Sequence, residues 1–458
     1  MTAISVQRTI WQAPNFAEIL ALASLVVPID APGDPVEFLA RASAALGDGA
    51  FWAQPEAATA FAGAGVAAEA VVEGPERFAA ASAALRDLSG VVQRQDAAVF
   101  PVLAGFAFRY VVAPDGPWRG FPAGRLIVPE VVLQVTPAGA FLRATTVLRP
   151  GQSPTEVQSM LQDRLSSARE WLTPPPTYCI PARAQSAVTP ADRQAWEGAV
   201  SRAVAAIAAG RVAKVVLARE ERQQAEQPIS PFDALTCLGE EHPGATLFAF
   251  SHDDAWFIGA TPERLVRLRD GVADVTCLAG SISIGATPEE TAALADQLLA
   301  SAKDRHEHEI VVSSTIDALS TVSASVERMR GTPRVRQARS VQHLETPLAA
   351  RAHPESDVLQ LAGLLHPTPA VGGFPTAPAL ELITELESFD RGWYAGPVGW
   401  VDLNGAGEFS VAIRSARIAG HVAHAFAGGG IVADSQPAAE FHETELKLRP
   451  MKAALGAL

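Results

Sequence analysis

The stretch EFSVAIRSARI (408–418), followed by VAHAFAGGGIV (422–432), decides the fold class. Both segments read as strands, and they follow each other in hairpin order. PVGWVDL (397–403) precedes them as a third. Helices are inserted between such groups of strands. That pattern predicts an α+β fold, with large antiparallel sheets flanked by helices, and not an alternating parallel sheet. Working outward, TLFAFS, AWFIGA and RLVRLR read as further antiparallel strands between 246 and 269, with Asp253 and Asp254 at one turn. VAKVVLAR (212–219), LIVPEVVLQ (126–134) and AFLRATTVL (140–148) read as strands too.

Helix starts are marked by caps. Thr189 is a good N-cap, with Pro190 at the first helical position and Asp192 at N3. Trp196, Val200, Val204 and Ile207 then recur at helical spacing until Gly210. Thr287-Pro288-Glu289-Glu290 opens another helix with Glu290 as capping-box residue, and 303–319 carries a third. The clearest break in composition is LTPPPTYCIP (172–181), read as a linker. It divides an N-terminal sheet and helix region, 1–188, from a core region, 189–458, and the first is expected to pack onto the second as one compact unit. GAGVAA (63–68) mimics a dinucleotide fingerprint, but no βαβ unit surrounds it, so it reads as a Gly-rich turn in a sheet.

The chain has 458 residues, 48% hydrophobic and 19% charged, which suits a globular protein with a large core. Lys plus Arg number 36 against 50 Asp plus Glu, a net charge of −14. That balance argues against nucleic acid and anionic membrane as partners. An anionic substrate then needs locally placed Arg, Lys or a metal ion. Cys179, Cys237 and Cys277 are widely spaced, form no CxxC motif and suggest no disulfide framework, so a reducing, cytoplasmic setting is expected. The longest uncharged stretch, 358–380, holds Pro367, Pro369, Pro375 and Pro378 and is no membrane helix.

Two acidic clusters carry the chemistry. In AEFHETELK (439–447), Glu440 and Glu443 lie three apart and share a helix face. In SAKDRHEHEIVV (301–312), Asp304 and Glu307 repeat that spacing. Two such helices make a compact oxygen site for a hard divalent cation, and Mg2+ suits it. Zinc is the rival, because His306, His308 and His442 are near. HEHEI is not HExxH, however, since Ile310 stands where the second histidine belongs. The histidines are expected to brace the site or face solvent.

KVVLAR, GATPERL, LAGS, KDRHEHEIVV, VQHLETPL, LHPTPAVGGFP, VAIRSARI and AGGGIVADSQPAAEFHETELK occur in that order between 190 and 455. Together they resemble the chorismate-utilising enzymes, and among them the isochorismate synthases most. The resemblance implies a large α+β domain with Mg2+ in a cleft and chorismate as substrate. It implies Lys214 as the base that activates water and Glu263 as the acid for the departing hydroxyl. Glu307 and Glu443 would bind the metal, with Asp304 and Glu440 acting through water. Arg414 would take a substrate carboxylate, with Tyr394, Lys447 and His343 as further contacts and Gly428, Gly429 and Gly430 offering backbone N–H groups. Ala370, after HPTP, stands where amine-using and salicylate-forming relatives tend to carry threonine. With LAGS it favours isochorismate synthase over salicylate, anthranilate or aminodeoxychorismate synthase. A catalytically idle chorismate- or metal-binding regulator is the alternative of another class. A monomer or weak homodimer is expected, and the long N-terminal region favours menaquinone over siderophore or salicylate biosynthesis.

Overall fold

The computed structural model describes residues 11–456 apart from 13–20, 95, 97, 114–115, 173–183, 187 and 338–340. The expected linker therefore lies, save Leu172, outside the described residues. Among the described residues, the strands form two large sheets, one of thirteen strands and one of ten. The middle of the first runs Lys214–Ala225, Val422–Ile431, Ser415–Ala419, Ala255–Thr261, Thr246–His252, Gly49–Gln54. The middle of the second runs Val341–Ala352, Val272–Ser283, Arg264–Arg269, Gly407–Val411, Pro397–Val401, Val102–Phe106. These neighbours are all antiparallel, and the protein is α+β. Both sheets mix strands from before and after residue 188.

Three segments read as continuous strands, or as one strand group, change sheet part-way. EFSVAIRSARI breaks at 412–414: Gly407–Val411 belongs to the second sheet and Ser415–Ala419 to the first. Arg414 there has φ +53°, a left-handed conformation that no strand continues through. LIVPEVVLQ breaks at Pro129, between Gly124–Val128 in the second sheet and Val131–Thr136 in the first. Proline has no N–H for the ladder. RLVRLR leaves the strands before it at Pro262 and Glu263 and joins the second sheet. Alternation could not show these changes, because the strands are buried on both faces and read as apolar runs.

The inner faces of the sheets share one core. Phe61 of the first sheet and Trp400 of the second bring ring centroids within 4.8 Å. Phe106, Phe248, Phe257, Trp393 and Phe409 belong to the same cluster. A second cluster joins the outer face of the first sheet to the helices Pro35–Leu46, Pro154–Glu170, Pro231–Glu241 and Pro437–Ala454.

Local signals act as their chemistry requires. Thr189 and Asp192 form a reciprocal capping box on Pro190–Ala208. Thr287 caps Pro288–Ala300, but Glu290 reaches back to the N–H of Ala286 instead of to Thr287. The helix expected over 303–319 spans Ala302–Ser320. Gly65, in GAGVAA, turns the chain between two strands with φ +68°. The cysteine reading needs correction. Cys277 is a buried free thiol, but Cys237 is disulfide-bonded. Wide spacing along a chain does not set distance in space. Among the described residues, no helix is long and apolar enough to cross a membrane.

Candidate active site

The site forms where the chain changes sheet. Glu263 stands at one crossover and Arg414 at another, and backbone bonds stitch the two together. The Val411 N–H donates to the Glu263 carbonyl at 2.9 Å, and the Ala260 N–H to that of Arg414 at 3.2 Å. Lys214 opens the strand Lys214–Ala225, opposite Phe374 of Gly373–Phe374. On the other edge, Val216, Leu217 and Ala218 face Gly430, Gly429 and Gly428 in regular register.

These glycines clear space. A Cβ on Gly430 would stand 2.9 Å from Cε of Lys214. One on Gly429 would stand 3.2 Å from Oε2 of Glu440, and one on Gly428 would stand 3.2 Å from the Tyr394 hydroxyl. The triple glycine therefore sits against three other residues singled out from the sequence. Tyr394 is buried and stacked on Phe426 at 5.2 Å.

Charges converge on Lys214. Burial pushes its pKa below the usual lysine range, and the Lys447 ammonium adds to that. Glu307, Glu263 and Glu443 are close enough to oppose the shift. Burial raises the Glu263 carboxyl above its ordinary range, against the pull of Lys214, Arg336 and Lys447. Both shifts favour the neutral form, a free amine beside a protonated acid. Burial and the cations Lys214, Lys447 and Arg336 push His343 down to about 4. Burial carries the Tyr394 phenol up to about 12.

The two acidic helices meet this cluster differently. Glu443 pairs with Lys447 at 2.6 Å, and the same ammonium donates to the Gly428 carbonyl at 2.8 Å. Arg414 donates to the Lys447 carbonyl at 3.3 Å. Glu440 is raised by burial and then by Glu443 and Asp434, and its Oε2 is buried without a hydrogen-bond partner. Glu307 is exposed, while Asp304 accepts from the hydroxyl and caps with Ser301, its N-cap. Asp304 also lies against Gly280 of LAGS. Among the described residues, no three acidic, histidine or cysteine side chains are gathered as a formed metal site. The donor chemistry nonetheless fits a hard cation, with four carboxylates on two helices and one orphaned, buried carboxylate oxygen. His306 and His442 are exposed, and His308 is buried with Nε2 2.7 Å from the Thr346 hydroxyl, so it braces its helix against Val341–Ala352.

Ala370 lies in the loop before Gly373–Phe374. That loop is fastened to the lysine strand by the Val216 N–H on the Gly372 carbonyl at 3.0 Å and the Ala213 N–H on the Phe374 carbonyl at 2.8 Å. Reading from sequence missed Arg336, which stands opposite His343 in the ladder and acts on Glu263. It also passed over Arg391, although RGWYAGPVG begins with it.

The model of the family described as chorismate binding enzyme matches residues 11–456. The chain belongs to that family. It is 37% identical over 412 residues to the salicylate biosynthesis isochorismate synthase of Pseudomonas aeruginosa, covering 89% of this chain and 85% of the relative. It is 36% identical over 366 residues to the isochorismate synthase MenF of Bacillus subtilis, covering 79% and 76%. Among solved structures, the menaquinone-specific isochorismate synthase MenF of Escherichia coli superposes with a TM-score of 0.77 at 24% identity, over 96% of both chains. Anthranilate synthase component I of Streptococcus pneumoniae superposes with a TM-score of 0.68 at 23% identity, over 86% of this chain and 92% of that one. The fold is thus the chorismate-binding fold, shared by proteins named for different reactions.

Proposed function

We propose that this protein is an isochorismate synthase that isomerises chorismate with Mg2+ bound. The observation that carries the reading is the pairing of Lys214 and Glu263. Burial drives the lysine toward the free amine and the glutamate toward the acid. In the proposed reaction, Lys214 takes a proton from water as the water oxygen bonds to C2 of chorismate. Both ring double bonds shift, C1=C2 to C1=C6 and C5=C6 to C4=C5, and the C4 hydroxyl leaves as water with a proton from Glu263. One water is added and one lost, so the product is an isomer. A base and an acid so placed each contribute roughly 10²–10⁴ in rate.

Chorismate is a dianion in an acidic protein, so local cations must hold it. Arg414 can take one carboxylate through its planar fork, and Lys447 lies in the same cluster. Glu307 and Glu443 would hold the Mg2+, with Asp304 and Glu440 behind them, and the ion would supply charge for the other carboxylate. Ala370 stands where amine-using and salicylate-forming relatives tend to carry threonine, which favours water as nucleophile and isochorismate as product. Relatives named for salicylate and for menaquinone biosynthesis leave both routes open for what consumes the product.

Incubation with chorismate and Mg2+, with products separated by chromatography and identified by mass, tests the reading. Isochorismate should form, EDTA should stop it and Mg2+ should restore it. Lys214→Ala should end turnover while calorimetry still detects chorismate binding. Unconsumed chorismate, an aminated product, or near-normal turnover by Lys214→Ala would overturn the assignment.

A further inference from the structure

A buried ion pair, Arg391 with Glu387, fastens segments next to the proposed catalytic groups. Arg391 is 2% exposed, and Glu387, four residues earlier, is nearly as buried. The guanidinium donates through Nε to Glu387 Oε2 at 2.9 Å and through one terminal nitrogen to Oε1 at 2.5 Å. It also donates to the Val216 carbonyl at 2.7 Å and to the Val371 carbonyl at 2.9 Å. Glu387 Oε1 accepts from the Ala218 N–H at 2.7 Å. The Phe108 ring lies 4.3 Å from the guanidinium carbon. The Arg391 carbonyl accepts from the Tyr394 N–H at 2.9 Å.

Each of the backbone partners belongs to a segment that carries a proposed site residue. Val216 and Ala218 follow Lys214 on its strand. Val371 follows Ala370. Tyr394 is held by Arg391's own backbone. Two of the carbonyls, Val216 and Val371, come from segments that otherwise meet only at their edges. We propose that Arg391 and Glu387 are positioning residues that hold the base strand, the Ala370 loop and the Tyr394 turn in one register. The proposal rests on reading those three as site residues.

The geometry leaves little freedom of substitution. Lysine keeps the charge but has no planar fork, so it cannot reach two carbonyls and both carboxylate oxygens together. Glutamine keeps the shape but has one oxygen. Its amide must set an N–H against either the Arg391 Nε–H or the N–H groups of Arg391 and Ala218. Misplacing a catalytic group by about 1 Å costs on the order of 10²-fold in rate.

The experiment measures kcat and KM for chorismate, with thermal melts, for Glu387→Gln, Arg391→Lys and the double variant. Wild-type turnover in the same assay stands for the functional reading by itself, so its failure is separate from failure of the variants. Glu387→Gln should lower kcat about 30-fold or more while KM stays within about threefold. Arg391→Lys should do at least as much, and the double variant should be no worse than the poorer single one, because both break one clamp. Arg211→Gln, which breaks the exposed Arg211–Glu385 pair, should leave kcat unchanged. If the buried variants do not fold, Phe108→Leu, which removes only the ring under the guanidinium, should still lower kcat about threefold to tenfold at constant KM. A loss that merely follows the unfolded fraction and vanishes at low temperature would overturn the proposal. So would wild-type kcat in folded Glu387→Gln, in folded Arg391→Lys or, where neither folds, in Phe108→Leu.

Discussion

The helices Ala302–Ser320 and Pro437–Ala454 carry the same acidic spacing, and the fold treats them differently. The C-terminal helix is nailed down. Arg219 donates to Thr444 at 2.8 Å and pairs with Glu445 and Glu221, and Lys452 reaches Glu221 at 2.7 Å. Phe441 lies under Arg219 at 4.6 Å. The other helix buries His308, Val312 and Leu319, and its ion pair to the neighbouring strand, Glu309 to Arg328, is half-exposed. Identical spacing therefore produces one acid pair on a rigid support and one on a lighter support. The difference teaches that ligand pattern and ligand positioning are separate properties.

The largest expected effect would break the comparison if the rigid helix did all the work. Glu443→Gln and Glu307→Gln should each cut kcat/KM by about 10³ or more, with unfolding midpoints unchanged. Near-normal activity in Glu307→Gln would confine the proposed Mg2+ to the C-terminal helix. Asp304→Asn should cost less, about 10–100-fold, as expected of a group acting behind the ligands.

Anchoring gives a sharper contrast in stability. Arg219→Met strands Glu221, a fully buried carboxylate, with Lys452 as its remaining cation. It should cost about 3–5 kcal/mol in urea unfolding. Arg328→Ala removes the rim pair of the other helix and should cost under about 1 kcal/mol. Equal costs would erase the distinction between the two supports.

The last contrast is one of pH. Burial keeps His308 below the ordinary histidine range. The unfolded chain takes up a proton near pH 6.5 that the folded chain refuses, so stability is full above about 6.5 and falls as the pH drops below it. His343, held near 4, and His366, held near 3, act with the same sign. Urea midpoints should fall between pH 7 and 5, and His308→Gln should reduce that slope by its own share. An unchanged slope would show that His308 takes up its proton in the fold as it does in the unfolded chain.

Strand and helix identities were legible because caps and apolar runs are local. Thr189 with Asp192 needed no knowledge of the rest of the chain. Sheet membership was not legible, since Val411 and Ser415 lie in one apolar run yet belong to different sheets. Glu263, Glu443 and Lys214 were found through motifs and charge spacing. Arg391 and Glu387 escaped because each alone is an ordinary charged residue. Only their partners, Val216, Ala218 and Val371, reveal what they fasten, and those contacts are distant in sequence. The disulfide on Cys237 escaped for the same reason.

The weaving of both sheets from early and late segments has a consequence for how the chain acquires its shape. Gly49 hydrogen-bonds to Ser251 across 202 residues, and Pro397–Val401 pairs with Val102–Phe106. Val422–Ile431 must insert between Lys214–Ala225 and Ser415–Ala419 before the first sheet is continuous. During synthesis the early strands emerge long before their partners and present open edges meanwhile. Contacts so distant make folding slow and expose those edges to aggregation. The ribosome must release the segment that carries Glu443 and Lys447 before Lys214 gains the neighbours that tune it, so the proposed site is assembled late in folding.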